Sequence, residues 1–236
     1  MSASKTAGKK AIAKADYQYR AGKYEAAIEI LAAATVDEED YIGLAYLLGL
    51  CYARLKKFDE ALLYLEQVVT QGDSDARLMQ CRMSLAYVYS ATGRSRLAEY
   101  ELQKLIEGSF ETPQVCSALG HAHWKQGRLE EGLQWYAKAL TLDPDNPTAL
   151  NGYGYLLACA DRELEKAMSC CRKALDEDPD NPAYADSMGW ACFKLGRLDE
   201  AGQYLRKAAS GLVSVDMGQD EELKTHLQAY EKAVQS

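Results

Sequence analysis

Residues 115–146 read VCSALGHAHWKQGRLEEGLQWYAKALTLDPDN, and residues 183–209 read AYADSMGWACFKLGRLDEAGQYLRKAA. At one constant offset Gly120 falls on Gly189, Gly127 on Gly196, and Arg128-Leu129-Glu130-Glu131 on Arg197-Leu198-Asp199-Glu200. Self-similarity at a fixed period marks a repeat architecture. Working outward, the same frame fits copies starting at Gly8, Ile42, Met79, Pro113, Pro147 and Pro182, spaced 34, 37, 34, 34 and 35 residues apart. The eighth position of the copies is always tiny: Ala15, Gly49, Ala86, Gly120, Gly154 and Gly189. So is the twentieth: Ala27, Ala61, Ala98, Gly132, Ala167 (after a one-residue shift) and Ala201. Small residues at both places let two helices of a pair approach closely. Gly22, Gly93, Gly127 and Gly196 recur at the fifteenth position, where a helix ends and a positive φ is wanted. All five prolines, Pro113, Pro144, Pro147, Pro179 and Pro182, lie at copy boundaries, where proline ends one helix and starts the next.

This pattern resembles the tetratricopeptide repeat (TPR), with tiny residues at positions 8 and 20 and proline near the boundary. The resemblance runs from residue 8 to about 215 and is strongest in copies four to six. It implies an all-α fold: a right-handed superhelical α-solenoid of about six helix-turn-helix repeats plus a C-terminal capping helix. The expected repeats lie near 8–41, 42–75, 79–112, 113–146, 147–181 and 182–215. Residues 1–7 are expected to be a disordered basic N-terminus, and 216–236 to hold the cap, with Leu223, Leu227, Tyr230 and Val234 at helical spacing. Copies two and three are separated by extra residues around Gly72 to Ala76, and the fifth copy lacks the turn glycine.

Composition bounds what such an array does. The net charge of −8 excludes broad nucleic-acid binding, which needs clustered Lys and Arg. No apolar run approaches the ~20 residues of a membrane span, so no membrane insertion is expected. Met1 to Lys10 lacks a hydrophobic stretch of the kind a signal peptide carries. Seven cysteines, an odd number without a CxxC pair, fit a reducing compartment, and a cytoplasmic location is the expectation.

The resemblance also says which residues face the concave groove. In this family the first helix of each pair lines it with positions 2, 5, 9, 12 and 13. Read here, those positions give Tyr19 and Arg20 in the first copy, Tyr46, Leu50 and Arg54 in the second, and Tyr87 in the third. They give His121, Trp124 and Lys125 in the fourth, Asn151 and Tyr155 in the fifth, and Asp186, Trp190, Phe193 and Lys194 in the sixth. Aromatics beside Arg and Lys are the composition of a protein-binding surface. The basic residues outnumber the acidic ones, which points to a peptide or helical segment with apolar anchors and some acidic residues. The carboxylate-clamp set of some family members is not present in any three consecutive copies.

Chemical sites are not expected. His121 and His123 are two apart and face different ways on a helix, so they make no metal pair. Cys170 and Cys171 read as small core residues, and no cysteine has a His and an acid close in sequence. Gly152-Tyr153-Gly154 lacks the preceding strand of a nucleotide loop. Glu38, Glu39 and Asp40 read as a solvated connector. No catalytic residue, cofactor or metal is expected. The functional expectation is a non-enzymatic scaffold or adaptor holding a protein or peptide partner. The run ADSMGWACFKLGRLDEA at 185–201 resembles bacterial members, which implies an assembly factor for a secretion, motility or envelope complex. The alternatives are an accessory subunit of an enzyme complex and a self-associating homo-oligomer.

Overall fold

Thr112, Asn146 and Asn181 fix the starts of three helices. Each side-chain oxygen accepts from a backbone N–H of the first turn: from Val115 at 3.3 Å, Ala149 at 3.0 Å and Ala183 at 3.1 Å. A proline follows each cap, where its missing donor costs nothing. The two asparagines are themselves held by Asp143 and Asp178, which accept from their amides at 3.2 Å. The strings LDPDNP and EDPDNP are therefore caps as well as links.

The computed structural model describes residues 2–71, 76–212 and 221–235. Among these residues all regular structure is helical, and the helices fall into two compact units, Met1–Phe110 and Glu111–Ser236. Unit 1 holds three pairs: α1 (Ser2–Arg20) with α2 (Tyr24–Ala32), α3 (Glu38–Arg54) with α4 (Phe58–Gln71), and α5 (Ala76–Ala91) with α6 (Ser95–Glu107). Unit 2 holds α7 (Pro113–Trp124) with α8 (Leu129–Leu142), α9 (Pro147–Cys159) with α10 (Leu164–Glu177), and α11 (Pro182–Lys194) with α12 (Leu198–Leu212). A thirteenth helix, α13 (Glu221–Val234), packs on α12 and α11. Within each unit the first helices of the pairs lie side by side, α1–α3–α5 and α7–α9–α11.

Several boundaries differ from the sequence expectation. α1 starts at Ser2, so residues 2–7 are helical rather than a disordered tail. α3 starts at Glu38, which puts Glu38, Glu39 and Asp40 in its first turn instead of a connector. Acidic side chains suit that place because unpaired N–H groups there carry partial positive charge. α5 likewise begins at Ala76, ahead of the expected Met79. The inserted residues 72–75, and 216–220 of the expected cap, lie outside the described residues.

The small residues seat large ones. A Cβ on Gly49 would lie 2.7 Å from Leu65, one on Gly120 2.8 Å from Tyr136, and one on Gly189 2.8 Å from Leu205. The residue that needs the eighth position small is thus chiefly the large one at position 24. Gly154 instead meets the Ala167 carbonyl, at 2.6 Å. Tyr136 is held on both sides, because a Cβ on Gly152 of α9 would lie 2.2 Å from its ring. That ring joins α8 to both α7 and α9 and sits in the core of unit 2 beside Leu133, Leu156 and Met188. The turn glycines Gly22, Gly93, Gly127 and Gly196 adopt φ of 73° to 76°. In copies two and five the same place is filled by Lys56 (φ 57°) and Asp161 (φ 54°), which take the left-handed conformation without glycine's freedom.

Candidate partner-binding faces

In unit 1 the first-helix face is open. Tyr19, Leu50, Arg54 and Tyr87, with Gln80 and Met83, line a pocket of about 420 Å³. The helical register explains the grouping, since Leu50 and Arg54 are one turn apart on α3 and Met83 and Tyr87 one turn apart on α5. Tyr87 is 50% exposed, with Phe58 edge-on at 6.1 Å. Tyr19 tilts against Tyr24 at 5.6 Å. A hydrogen bond to Tyr19 is the main cause of a raised Arg54 pKa, which keeps that guanidinium charged in the pocket wall. A second pocket of about 580 Å³ runs along the same helices, with Lys9, Asp16, Arg20, Asp40, Tyr46 and Arg77 among its lining. Its charges are mixed: Arg20 pairs with Asp16 at 2.8 Å and Lys9 with Asp40 at 3.9 Å. The Tyr46 hydroxyl donates to Gln80 Oε1 at 2.6 Å, linking the linings of the two pockets. Burial pushes the Tyr46 phenol up to about 12, so it stays a donor.

In unit 2 the corresponding face is covered by the chain itself. His226 of α13 is 4% exposed, and its Nδ1 lies 2.9 Å and 3.1 Å from the two carboxylate oxygens of Asp186. A carboxylate only accepts, so Nδ1 is the proton-bearing nitrogen. The imidazole stacks on Trp190 at 4.2 Å and 18° and tilts against Tyr155 at 5.8 Å. Trp124 meets Tyr155 edge-on at 5.9 Å, and Phe193 stacks on Trp190 at 5.1 Å. Glu222, one turn before His226, pairs with Lys125. Lys194 lies over the Trp190 ring at 5.5 Å and pairs with Asp161 at 2.6 Å. Burial lowers the His121 pKa, and the neighbouring Lys125 lowers it further against an opposing pull from Glu222. Asn151 and Ser117 stand one turn before Tyr155 and His121, as Asp186 stands one turn before Trp190.

The candidate residues therefore divide between two settings. Tyr19, Arg20, Tyr46, Leu50, Arg54 and Tyr87 line open pockets in unit 1. Trp124, Lys125, Tyr155, Asp186, Trp190 and Phe193 of unit 2 join a cluster that α13 closes, rather than a free aromatic surface. The expected basic excess is also reduced, since Arg20, Lys125 and Lys194 each have an acidic partner. The sequence reading missed His226 and Glu222. The signal was present: His226 lies on the apolar stripe between Leu223 and Leu227, and a histidine there needs a partner.

The Asp186–His226 pair has the form of a base and its orienter, but among the described residues no activated nucleophile accompanies it. His226 Nε2 faces the Tyr155 hydroxyl at 3.5 Å, and burial drives the Tyr155 pKa far up. Burial also raises the thiol pKa of the neighbouring Cys159. Burial likewise pushes Cys51 and Cys192 to about 11, so these thiols are protonated at neutral pH.

Comparison with known proteins agrees with this architecture. A model of the tetratricopeptide repeat matches residues 117–182, and a second model of the same repeat matches 186–210. A model of anaphase-promoting complex, cyclosome, subunit 3 matches residues 1–68. Among curated proteins, BBSome complex member BBS4 of Bos taurus is 27% identical over 137 residues, covering 58% of this chain and 25% of that protein. Tetratricopeptide repeat protein 21B of Homo sapiens is 35% identical over 75 residues, covering 30% of this chain and 6% of that protein. The matched stretch is thus a quarter or less of either relative. Among solved structures, TTC0263, a thermophilic TPR protein of Thermus thermophilus, superposes with a TM-score of 0.60 at 21% identity over 83% of this chain and 100% of that one. YrrB, described as a TPR protein with an unusual peptide-binding site, superposes at 0.52 and 20% identity over 81% of this chain and 92% of that one. No helix among the described residues is long and apolar enough to cross a membrane.

Proposed function

We propose that this chain, a tetratricopeptide repeat protein, is a non-enzymatic scaffold that takes a segment of a partner protein on the first-helix face of unit 1. The observation that carries the reading is the pair of pockets across α1, α3 and α5, one of them walled by Tyr19, Arg54 and the half-exposed Tyr87. Tyrosine and arginine are residue types that anchor protein interfaces. Met83 adds an adaptable apolar floor, and Arg54 offers a fixed charge to an acidic side chain of the segment. Work in a multi-protein complex is supported by likeness to proteins named as complex members or subunits. The bacterial assembly role rests on the run at 185–201 alone.

Affinity capture from native lysate tests this reading, with wild type compared against the double variant Tyr87→Ala, Arg54→Ala. Partner recovery should fall about tenfold or more while the far-UV circular dichroism is unchanged. Undiminished recovery removes unit 1 as the binding face. A second reading, self-association, is favoured by the exposed Tyr17, Leu63, Leu97 and Tyr100 of unit 1. Light scattering of the purified chain over a concentration series decides it.

A further inference from the structure

The apolar stripe of α13 is interrupted by one polar residue, His226, and that residue is buried in the first-helix face of unit 2, at 4% exposed. A helix whose only task is to cover the last pair needs apolar side chains there. Leucine against Trp190, Tyr155 and Phe193 would do this without a buried polar pair. Replacing a buried ionic or polar pair by well-packed apolar groups is often neutral or stabilising, and such pairs are best attested as devices that fix register or partner choice. His226 on Asp186 reads a specific side chain at a specific place. Glu222 on Lys125 reads a second, and Leu223, 3% exposed, supplies the apolar anchor beside it. Tyr230 completes the set against α12, where its hydroxyl lies 2.2 Å from the place a Cβ on Gly202 would occupy. These four contacts are a recognition pattern on one helix: acid, leucine, histidine and tyrosine at i, i+1, i+4 and i+8.

A second observation extends the pattern beyond α13. Asp186 stands in a row with Asn151 of α9 and Ser117 of α7, at the same position of successive copies. α13 serves the Asp186 rung. Ser117, 3% exposed, keeps its Oγ without a hydrogen-bond partner among the described residues, and so does Asn151 Oδ1. A buried polar atom without a partner has given up its hydrogen bonds to water without replacement.

We propose that α13 is a tethered ligand of the α7–α9–α11 face, and that this face accepts in its place an amphipathic helix from a partner protein carrying the same acid–leucine–histidine–tyrosine set. The partner helix displaces α13, pairs its acid with Lys125 and its histidine with Asp186, and stacks that histidine on Trp190. None of the unit 1 pocket residues takes part in this contact. A tethered competitor acts at an effective concentration of roughly millimolar, so the intact chain binds a free helix more weakly than the uncovered face does.

The probe is a fluorescein-labelled peptide of residues 221–235 of this chain, read by anisotropy against full-length protein. The full-length variant Leu223→Ala, His226→Ala loosens α13 and leaves the face untouched, so it should bind the probe about tenfold or more tighter than wild type does. A probe carrying His226→Ala should lose that gain. Equal binding by wild type and variant, or equal binding of the two probes, overturns the proposal. Hydrogen exchange on the unaltered chain guards against a variant that fails to fold. Excess probe should speed exchange in the chain's own α13 and leave α9 and α11 protected. Unchanged α13 protection at saturating probe overturns displacement. Loss of probe binding in Tyr87→Ala, Arg54→Ala would move the site to unit 1 and also overturn it. Light scattering that shows a His226-dependent dimer would make a second copy the occupant and overturn the assignment to a partner.

Discussion

Gly152→Ala puts two opposing effects in competition, and the structure decides which wins. Alanine in a helix interior is favoured over glycine by about 1 kcal/mol, so propensity alone makes the change stabilising. The added Cβ, however, would sit 2.2 Å from two carbons of the Tyr136 ring and 2.6 Å from its hydroxyl. Ordinary carbon contacts lie at roughly 3.5–4.0 Å, so the ring must move by more than about 1 Å. It has no room to retreat toward α7, because the place of a Cβ on Gly120 is already 2.8 Å from the ring's other edge. Either the helices part, an overpacking cost of about 1–3 kcal/mol, or the ring leaves the core and gives up about 1.5–3 kcal/mol of burial. Tyr136 is 6% exposed and joins three helices, so both routes fall near the upper end. The expected net is a loss of about 1–2 kcal/mol, or a Tm about 4–8 °C lower for a unit of this size. Thermal and urea unfolding followed at 222 nm measures it. Adding Tyr136→Leu should remove the conflict, so that alanine at 152 becomes neutral or stabilising in that background. A higher Tm for Gly152→Ala alone would refute the reasoning, since it would mean the Tyr136 ring does not confine α9.

Two further outcomes follow from the backbone and from charge. Lys56→Gly should stabilise unit 1 by about 0.5–1 kcal/mol in urea titration, because Lys56 holds φ 57° where four other copies use glycine. For His121 the folded pKa is lowered, chiefly by burial, so between its two pKa values the unfolded chain binds the extra proton. The His121 contribution is therefore complete above the unfolded value of about 6.5 and is lost as pH falls below it toward the folded value. The Tm difference between wild type and His121→Gln, followed from pH 7.5 to 5, should move against wild type as pH falls, and a constant difference would contradict the burial argument.

Much of the fold was legible in the sequence because the repeat is written in residues that have few physical substitutes. Gly120 and Gly189 admit no Cβ, Gly127 and Gly196 hold positive φ, and Pro147 and Pro182 follow asparagine caps. The helix starts in unit 1 were less legible. α3 and α5 begin without a boundary proline, and their entries are marked only by weaker signals such as the acids Glu38 to Asp40. The groove residues were named from family geometry, which places side chains on a face but says nothing about what lies over that face. The cover came from α13, distant in sequence from Asp186 and Trp190. Helical spacing identified its stripe as Leu223, Leu227, Tyr230 and Val234. His226, the polar residue on that stripe, is passed over when the stripe is read from apolar residues alone.

The same repeat positions give the two faces different chemistry. At the fifth position unit 1 carries Ile12, Tyr46 and Met83, while unit 2 carries Ser117, Asn151 and Asp186. At the ninth, unit 1 carries Asp16, Leu50 and Tyr87, while unit 2 carries His121, Tyr155 and Trp190. On the proposed reading a segment bound on the unit 1 face is selected chiefly by apolar anchors, with Arg54 favouring an acid beside them. The unit 2 face sets aromatic rings one turn from a polar row, so on the proposed reading a ligand there is selected by a polar match at Asp186 as well as by apolar contact. α13 illustrates the point, since its leucine enters an apolar site while its histidine is accepted at Asp186. On the proposed readings the chain presents two recognition chemistries, and among the described residues the second is matched by a helix the chain carries itself.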